Sequence, residues 1–125
     1  MIPPKLKRGD EVRVISPSVS LSVVSDEVEK TAVRRLETLG LKVTIAKNAR
    51  ETDDFSSASV ASRIEDLHEA FLDPEVKGIF TTLGGYNANQ LLTDINYGII
   101  QSNPKILCGY SDITALSAAI YKKQV

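Results

Sequence analysis

The hydrophobic and polar positions change period several times along the chain. Residues 11–16 (EVRVIS) alternate β-branched and charged side chains, the period of a strand, and stop at Ser16-Pro17-Ser18. Residues 25–39 repeat at helical spacing, with Val28, Ala32, Leu36 and Leu39 on one stripe. Ser25 suits the N-cap, Asp26 and Glu27 suit the positive end of the dipole, and Gly40 can close the helix. Residues 42–46 (KVTIA) predict a second strand. Residues 47–58 are polar and irregular, long for a loop in a compact domain. Residues 59–72 return to helical spacing through Val60, Ile64, Leu67 and Phe71, and Asp73-Pro74 ends them. A third strand, 76–82 (VKGIFTT), breaks at Leu83-Gly84-Gly85-Tyr86. Short helices at 87–93 and 97–101 follow, then a fourth strand at 105–109. The helix predicted over 111–123 places Lys122 and Lys123 at its negative end.

Strands that alternate with helices imply a parallel sheet covered on both sides. The predicted fold is therefore α/β, a flavodoxin-like open parallel sheet with helices on both faces. Ligands of such sheets bind beyond the carboxyl ends of the strands. The loops Ser16-Pro17-Ser18, Gly84-Gly85-Tyr86-Asn87 and Gly109-Tyr110-Ser111-Asp112 all follow strand ends, so the alternation places them on one edge.

Composition narrows the function. A chain of 125 residues is one domain with a real core. Lys and Arg number 15 against 16 Asp and Glu, which points away from a nucleic-acid partner. The short cluster Lys5, Lys7 and Arg8 reads as solvated surface. The single cysteine, Cys108, allows no disulfide within the chain and no metal-ligand spacing, and its apolar strand context predicts a buried thiol. No cofactor is expected. The N-terminal MIPPK lacks the apolar stretch of a signal peptide, and no later segment is apolar enough to span a bilayer, so a cytoplasmic protein is expected.

Ser111 holds the candidate chemistry. On a sharp strand-to-helix turn its hydroxyl would be exposed beside the free N–H groups of a helix start, which can stabilise an oxyanion. The surrounding Gly-Tyr-Ser-Asp-Ile is not the Gly-x-Ser-x-Gly of α/β-hydrolases, and Ser111 could equally be a helix cap. Gly84-Gly85 could complete an oxyanion hole with the N–H of Asp112, or could simply make a tight turn. They are not a dinucleotide fingerprint. His68, the only histidine, lies mid-helix and reads as structural. Asp112 adjoins Ser111, and neighbours on a helix point apart. The nucleophile-like turn therefore lacks a general base within the chain.

The residues resemble the N-terminal domain of the LD-carboxypeptidase family of serine peptidases, which includes the microcin C immunity peptidases. The resemblance runs from Leu6-Lys7-Arg8-Gly9-Asp10 through Ser16-Pro17-Ser18, Arg63, Leu67, Phe71, Asp73-Pro74, Gly84-Gly85-Tyr86 and Asn103-Pro104-Lys105 to Gly109-Tyr110-Ser111-Asp112-Ile113-Thr114. It implies that residues 1–125 are the nucleophile-bearing domain of a larger two-domain protein. Ser111 would be the nucleophile, and the backbone N–H groups of Gly85 and Asp112 the oxyanion hole. Gly84, Tyr86 and Asn87 would be candidate substrate contacts. The glutamate and histidine of the triad would lie in a C-terminal domain beyond Val125, so the isolated chain would be inactive. Cell-wall members typically carry arginine just before the Gly-Gly. Thr82-Leu83 stands there instead and is closer to the immunity branch. The implied substrate is a muropeptide or a peptidyl- or aminoacyl-nucleotide. A domain of this kind would expose an apolar patch where its partner domain packs, or through which it could form a homodimer. The alternative is a non-catalytic flavodoxin-like module that binds a small ligand or partner.

Overall fold

The computed structural model describes residues 2–109 and 111–124. Tyr110, part of the Gly-Tyr-Ser-Asp element, lies outside the described residues. Strands β1 (Glu11–Ile15), β2 (Lys42–Ile45), β3 (Val76–Thr81) and β4 (Ile106–Cys108) alternate with helices α1 (Asp26–Thr38), α2 (Val60–Leu72), α3 (Tyr97–Ser102) and α4 (Ile113–Gln124). Short 3-10 turns occupy Leu21–Val23 and Ala88–Leu91. The first of these interrupts the loop after β1, and the second replaces the helix expected over 87–93.

The Ser25 cap forms as the sequence implies, and Ser59, read as the first helical residue, proves to be the cap of α2. Ser25 Oγ accepts from Val28 N at 3.3 Å and Ser59 Oγ from Ser62 N at 3.1 Å, each satisfying an orphan donor of a first turn. Gly40 ends α1 at φ 90°, a conformation glycine adopts without steric cost.

All pairings are parallel and the strand order is β2-β1-β3-β4. The α/β parallel sheet predicted from the alternation is therefore present. Because the chain returns past β1 on its way from β2 to β3, α1 and α2 fall on opposite faces. Ile15 and Ile79 point toward α2, where Leu67, Ala70 and Phe71 close over them as the main core. Each fully buried Leu, Ile or Phe there contributes roughly 1.5–3 kcal/mol.

The opposite face is less covered. Register places Val14, Ile45 and Phe80 side by side on it, and α1 lies above them together with Leu21 and Val24. Between them runs a largely apolar cleft of about 310 Å³, reaching Val28, Ala32, Leu36 and Leu83. No residue of α1 is buried, and Val28 stays 60% exposed. The stripe read from the sequence thus faces the sheet without being sealed by it.

Cys108 corrects another expectation: its thiol is exposed, not buried. β4 is the edge strand, and Cys108 pairs with Phe80 on the incompletely covered face. An apolar strand pattern reports a strand, but burial also needs a layer on top.

Candidate active site at the carboxyl edge of the sheet

β1, β3 and β4 end level with one another, since Ile15 pairs with Thr81 and Phe80 with Cys108. Their following loops therefore meet on one edge, as the alternation predicted. Thr82 fastens two of them: its N donates to Ile15 O at 3.0 Å, and its hydroxyl lies 2.8 Å from Ser16 Oγ and 3.1 Å from Val19 O.

Ser111 is exposed and has φ 62°, in the left-handed region. A non-glycine residue held there costs about 1–3 kcal/mol and persists where surrounding contacts impose it. An N-cap residue has extended backbone and immediately precedes the helix. Here Asp112, not Ser111, precedes Ile113. Ser111 O accepts from Thr114 N at 2.9 Å, so the turn folds directly into α4. Gly109 is required just before it, because a β-carbon there would press on Thr81 Oγ1 and come within 2.8 Å of Ile113 Cγ2.

Gly84 faces this turn. A β-carbon on Gly84 would stand 3.1 Å from Ser111 Cβ, 3.2 Å from Ser111 Oγ and 3.2 Å from Asp112 N. The missing side chain leaves open the space between a hydroxyl and a backbone N–H. Gly85 packs the other way: its β-carbon would lie 2.6 Å from Val19 Cγ2 and 2.8 Å from Ser18 Oγ. The two glycines thus have separate steric reasons. Gly84 clears the serine turn, and Gly85 lets the loop lie on the Ser18 loop.

The polar residues behind these loops are bonded to one another. Asp112 Oδ2 accepts from Ser18 Oγ at 2.7 Å and from Ala88 N at 2.9 Å. The Arg63 guanidinium, 4% exposed, donates to Ala58 O at 2.9 Å, Pro17 O at 3.2 Å, Asn87 O at 3.1 Å and Gln90 Oε1 at 2.6 Å. Burial lowers its pKa, and the carboxylates of Asp53 and Asp112 oppose that shift. Asn87 Nδ2 donates to Ser57 Oγ at 3.0 Å, and Ser20 N to Ser56 O at 2.7 Å. The long loop 47–58 is therefore stitched to the rim of the same edge. Within it, Asp53 Oδ1 accepts from Phe55 N and Ser57 N, which holds its pKa below the ordinary value. Tyr86 projects into solvent at 93% exposure.

His68 is not brought to Ser111. Its Nε2 accepts from Asn96 N at 3.0 Å, and burial lowers its pKa. That bond ties α2 to the start of α3. Among the described residues, no three or more His, Cys, Asp or Glu side chains converge as metal ligands, and no helix is long and apolar enough to cross a membrane.

The Ser16-Pro17-Ser18 loop was expected on this edge, but Ser57 and the guanidinium of Arg63 were not. Arg63 did leave a signal, since it falls on the same helical face as Val60, Ile64 and Leu67. A cation on an apolar stripe must find acceptors when that stripe is buried.

Comparison with known proteins places this architecture. The crystal structure of an MccF-like protein from Bacillus anthracis superposes with a TM-score of 0.98 at 60% identity, covering 99% of this chain and 38% of that one. The protein YocD of Bacillus subtilis is 57% identical over 119 residues, which is 95% of this chain and 37% of YocD. The microcin C7 self-immunity protein MccF, solved in complex with aspartyl sulfamoyl adenosine, superposes with a TM-score of 0.93 at 34% identity, over 99% of this chain and 37% of its own. The chain thus spans little more than a third of the length of these relatives. Residues 12–125 match the family model of the LD-carboxypeptidase N-terminal domain, and the chain belongs to that family.

Proposed function

We propose that this chain is the nucleophile-bearing N-terminal domain of a longer serine peptidase, with Ser111 as the nucleophile. The observation that carries the reading is Ser111 at φ 62° on the turn into α4, with Gly84 leaving open the space between its hydroxyl and Asp112 N. In the reaction, Ser111 Oγ attacks the amide carbonyl and gives its proton to a general base. The carbonyl oxygen becomes an oxyanion held by the N–H groups of Asp112 and Gly85. Collapse breaks the C–N bond, the amine leaves with the proton, and water then hydrolyses the acyl-serine. As the family resemblance implies, the base and its orienting carboxylate come from the C-terminal part of the polypeptide; within this domain Asp112 and His68 are engaged elsewhere.

The substrate class favoured here is a peptidyl- or aminoacyl-nucleotide. Thr82-Leu83, standing before the Gly-Gly where cell-wall members typically have arginine, supports this reading. So does the relative that was crystallised with aspartyl sulfamoyl adenosine. Gly84, Tyr86 and Asn87 are the proposed substrate contacts.

The test uses the natural full-length polypeptide against an aminoacyl sulfamoyl adenosine and a murein tetrapeptide. Amide cleavage that Ser111→Ala reduces by several orders of magnitude is the expected result. Cleavage of the tetrapeptide alone moves the substrate assignment to muropeptides. Full activity in Ser111→Ala, or none on either substrate in the wild type, overturns the peptidase reading in favour of a binding module.

A further inference from the structure

Asp112 offers two groups in two directions. Its backbone N–H lies in the space beside Ser111 Oγ and Gly84. Its carboxylate turns away and uses a single oxygen, Oδ2, to accept from Ser18 Oγ at 2.7 Å and Ala88 N at 2.9 Å. Both donors bound the segment that carries Gly85. Ser18 Oγ lies directly against Gly85, within 2.8 Å of where its β-carbon would be, and Ala88 follows Gly85 by three residues. The side chain of the residue proposed to donate one oxyanion hydrogen bond therefore grips the loop proposed to donate the other.

We infer that the Asp112 carboxylate is a positioning residue, which sets the spacing between the two oxyanion donors by acting as a double hydrogen-bond acceptor. This rests on the proposed serine-peptidase reading. Neither a cap nor a match to the helix dipole calls for this pattern. A cap side chain accepts from the amides of its own helix's first turn, whereas both donors to Oδ2 come from distant segments, 94 and 24 residues away. Arg63 supports the same spacing from behind, holding Pro17 O and Asn87 O, one residue before each donor.

The role requires an acceptor and not a charge, so two substitutions separate the explanations. Asp112→Asn can place its amide oxygen where Oδ2 stands and accept both bonds; Asp112→Ala cannot. In the full-length enzyme, Asp112→Ala is expected to lower kcat by about 10²-fold, the cost of a misplacement near 1 Å, while KM moves by no more than about threefold. Asp112→Asn is expected to stay within about fivefold of the wild type. The measurement is made well below the melting temperature of every variant, so that a loss of stability alone does not register in kcat. If Asp112→Ala keeps its kcat while Ser111→Ala is dead, the positioning role is wrong and the peptidase reading stands. If Asp112→Asn is as impaired as Asp112→Ala, the carboxylate acts through its charge, and the inference is overturned. If Ser111→Ala itself is active, the underlying reading has failed first. Should Asp112→Ala not fold, Ser18→Ala removes one of the two grips. It is then expected to reduce kcat about tenfold, and an unchanged kcat refutes the proposal.

Discussion

Gly84→Ala separates chemistry from packing at this site more cleanly than any other substitution. The added methyl would sit 3.2 Å from both Ser111 Oγ and Asp112 N and 3.1 Å from Ser111 Cβ. These contacts are a few tenths of an ångström tighter than ordinary packing, so the strain costs about 1 kcal/mol, the low end for overpacking. Gly84 does not lie in the left-handed region, so alanine can adopt its backbone, and the stiffer unfolded chain returns about 0.4–1 kcal/mol. Net stability should therefore change by less than about 1 kcal/mol. On the proposed peptidase reading, the effect on catalysis should be much larger, because the methyl would fill the place assigned to the developing oxyanion. Losing one oxyanion hydrogen bond costs about 10²–10³ in kcat, or roughly 2.7–4 kcal/mol of transition-state stabilisation. The assay pairs steady-state kinetics of the full-length enzyme with urea denaturation of the same variant. The reasoning is refuted if kcat stays within about threefold of the wild type. A loss of stability above about 2 kcal/mol would refute it in the other direction, because Gly84 would then be a packing requirement.

Two further outcomes follow from buried charges. Burial raises Asp66 from 3.8 to about 6, although Asn48 N and Nδ2 donate to it. Between those values the folded form holds a proton that the unfolded form has released, so stability falls as pH rises from about 4 to about 6, by about 3 kcal/mol in total. Asp66→Asn, which keeps an acceptor for Asn48, should gain on the wild type by that amount between pH 4 and pH 7 in denaturation experiments, and a constant difference across that range contradicts the assignment. Arg63→Met removes the donor shared by Pro17 O, Ala58 O, Asn87 O and Gln90 Oε1, and should cost about 3–5 kcal/mol. A loss under about 1 kcal/mol in urea would show that water replaces the guanidinium without penalty.

Much of the scaffold was legible in the residue pattern because its causes are local. The alternating run at 11–16 became β1, Ser25 caps α1, and Gly40 ends it. Strand-helix alternation was enough to place three loops on one edge, since parallel strands all end on the same side. The pattern read less well where burial depends on a neighbour. The α1 stripe and Cys108 are apolar in sequence yet open to solvent, because α1 covers that face incompletely and β4 is an edge strand. The stretch 47–58 looked featureless because the bonds that fix it to the rim run to Ser20 and Asn87, far away in the chain.

The sequence by itself therefore determined the α/β class, the strand ends and the residue types gathered there, through propensity, capping and periodicity acting over a few residues. Only the tertiary structure decided that Ser111 takes a left-handed turn, that Gly84 rather than Gly85 clears its hydroxyl, and that Asp112 and Arg63 bind the loops together. Those features depend on contacts between segments tens of residues apart. Such contacts exist only once the sheet has brought the segments to one edge.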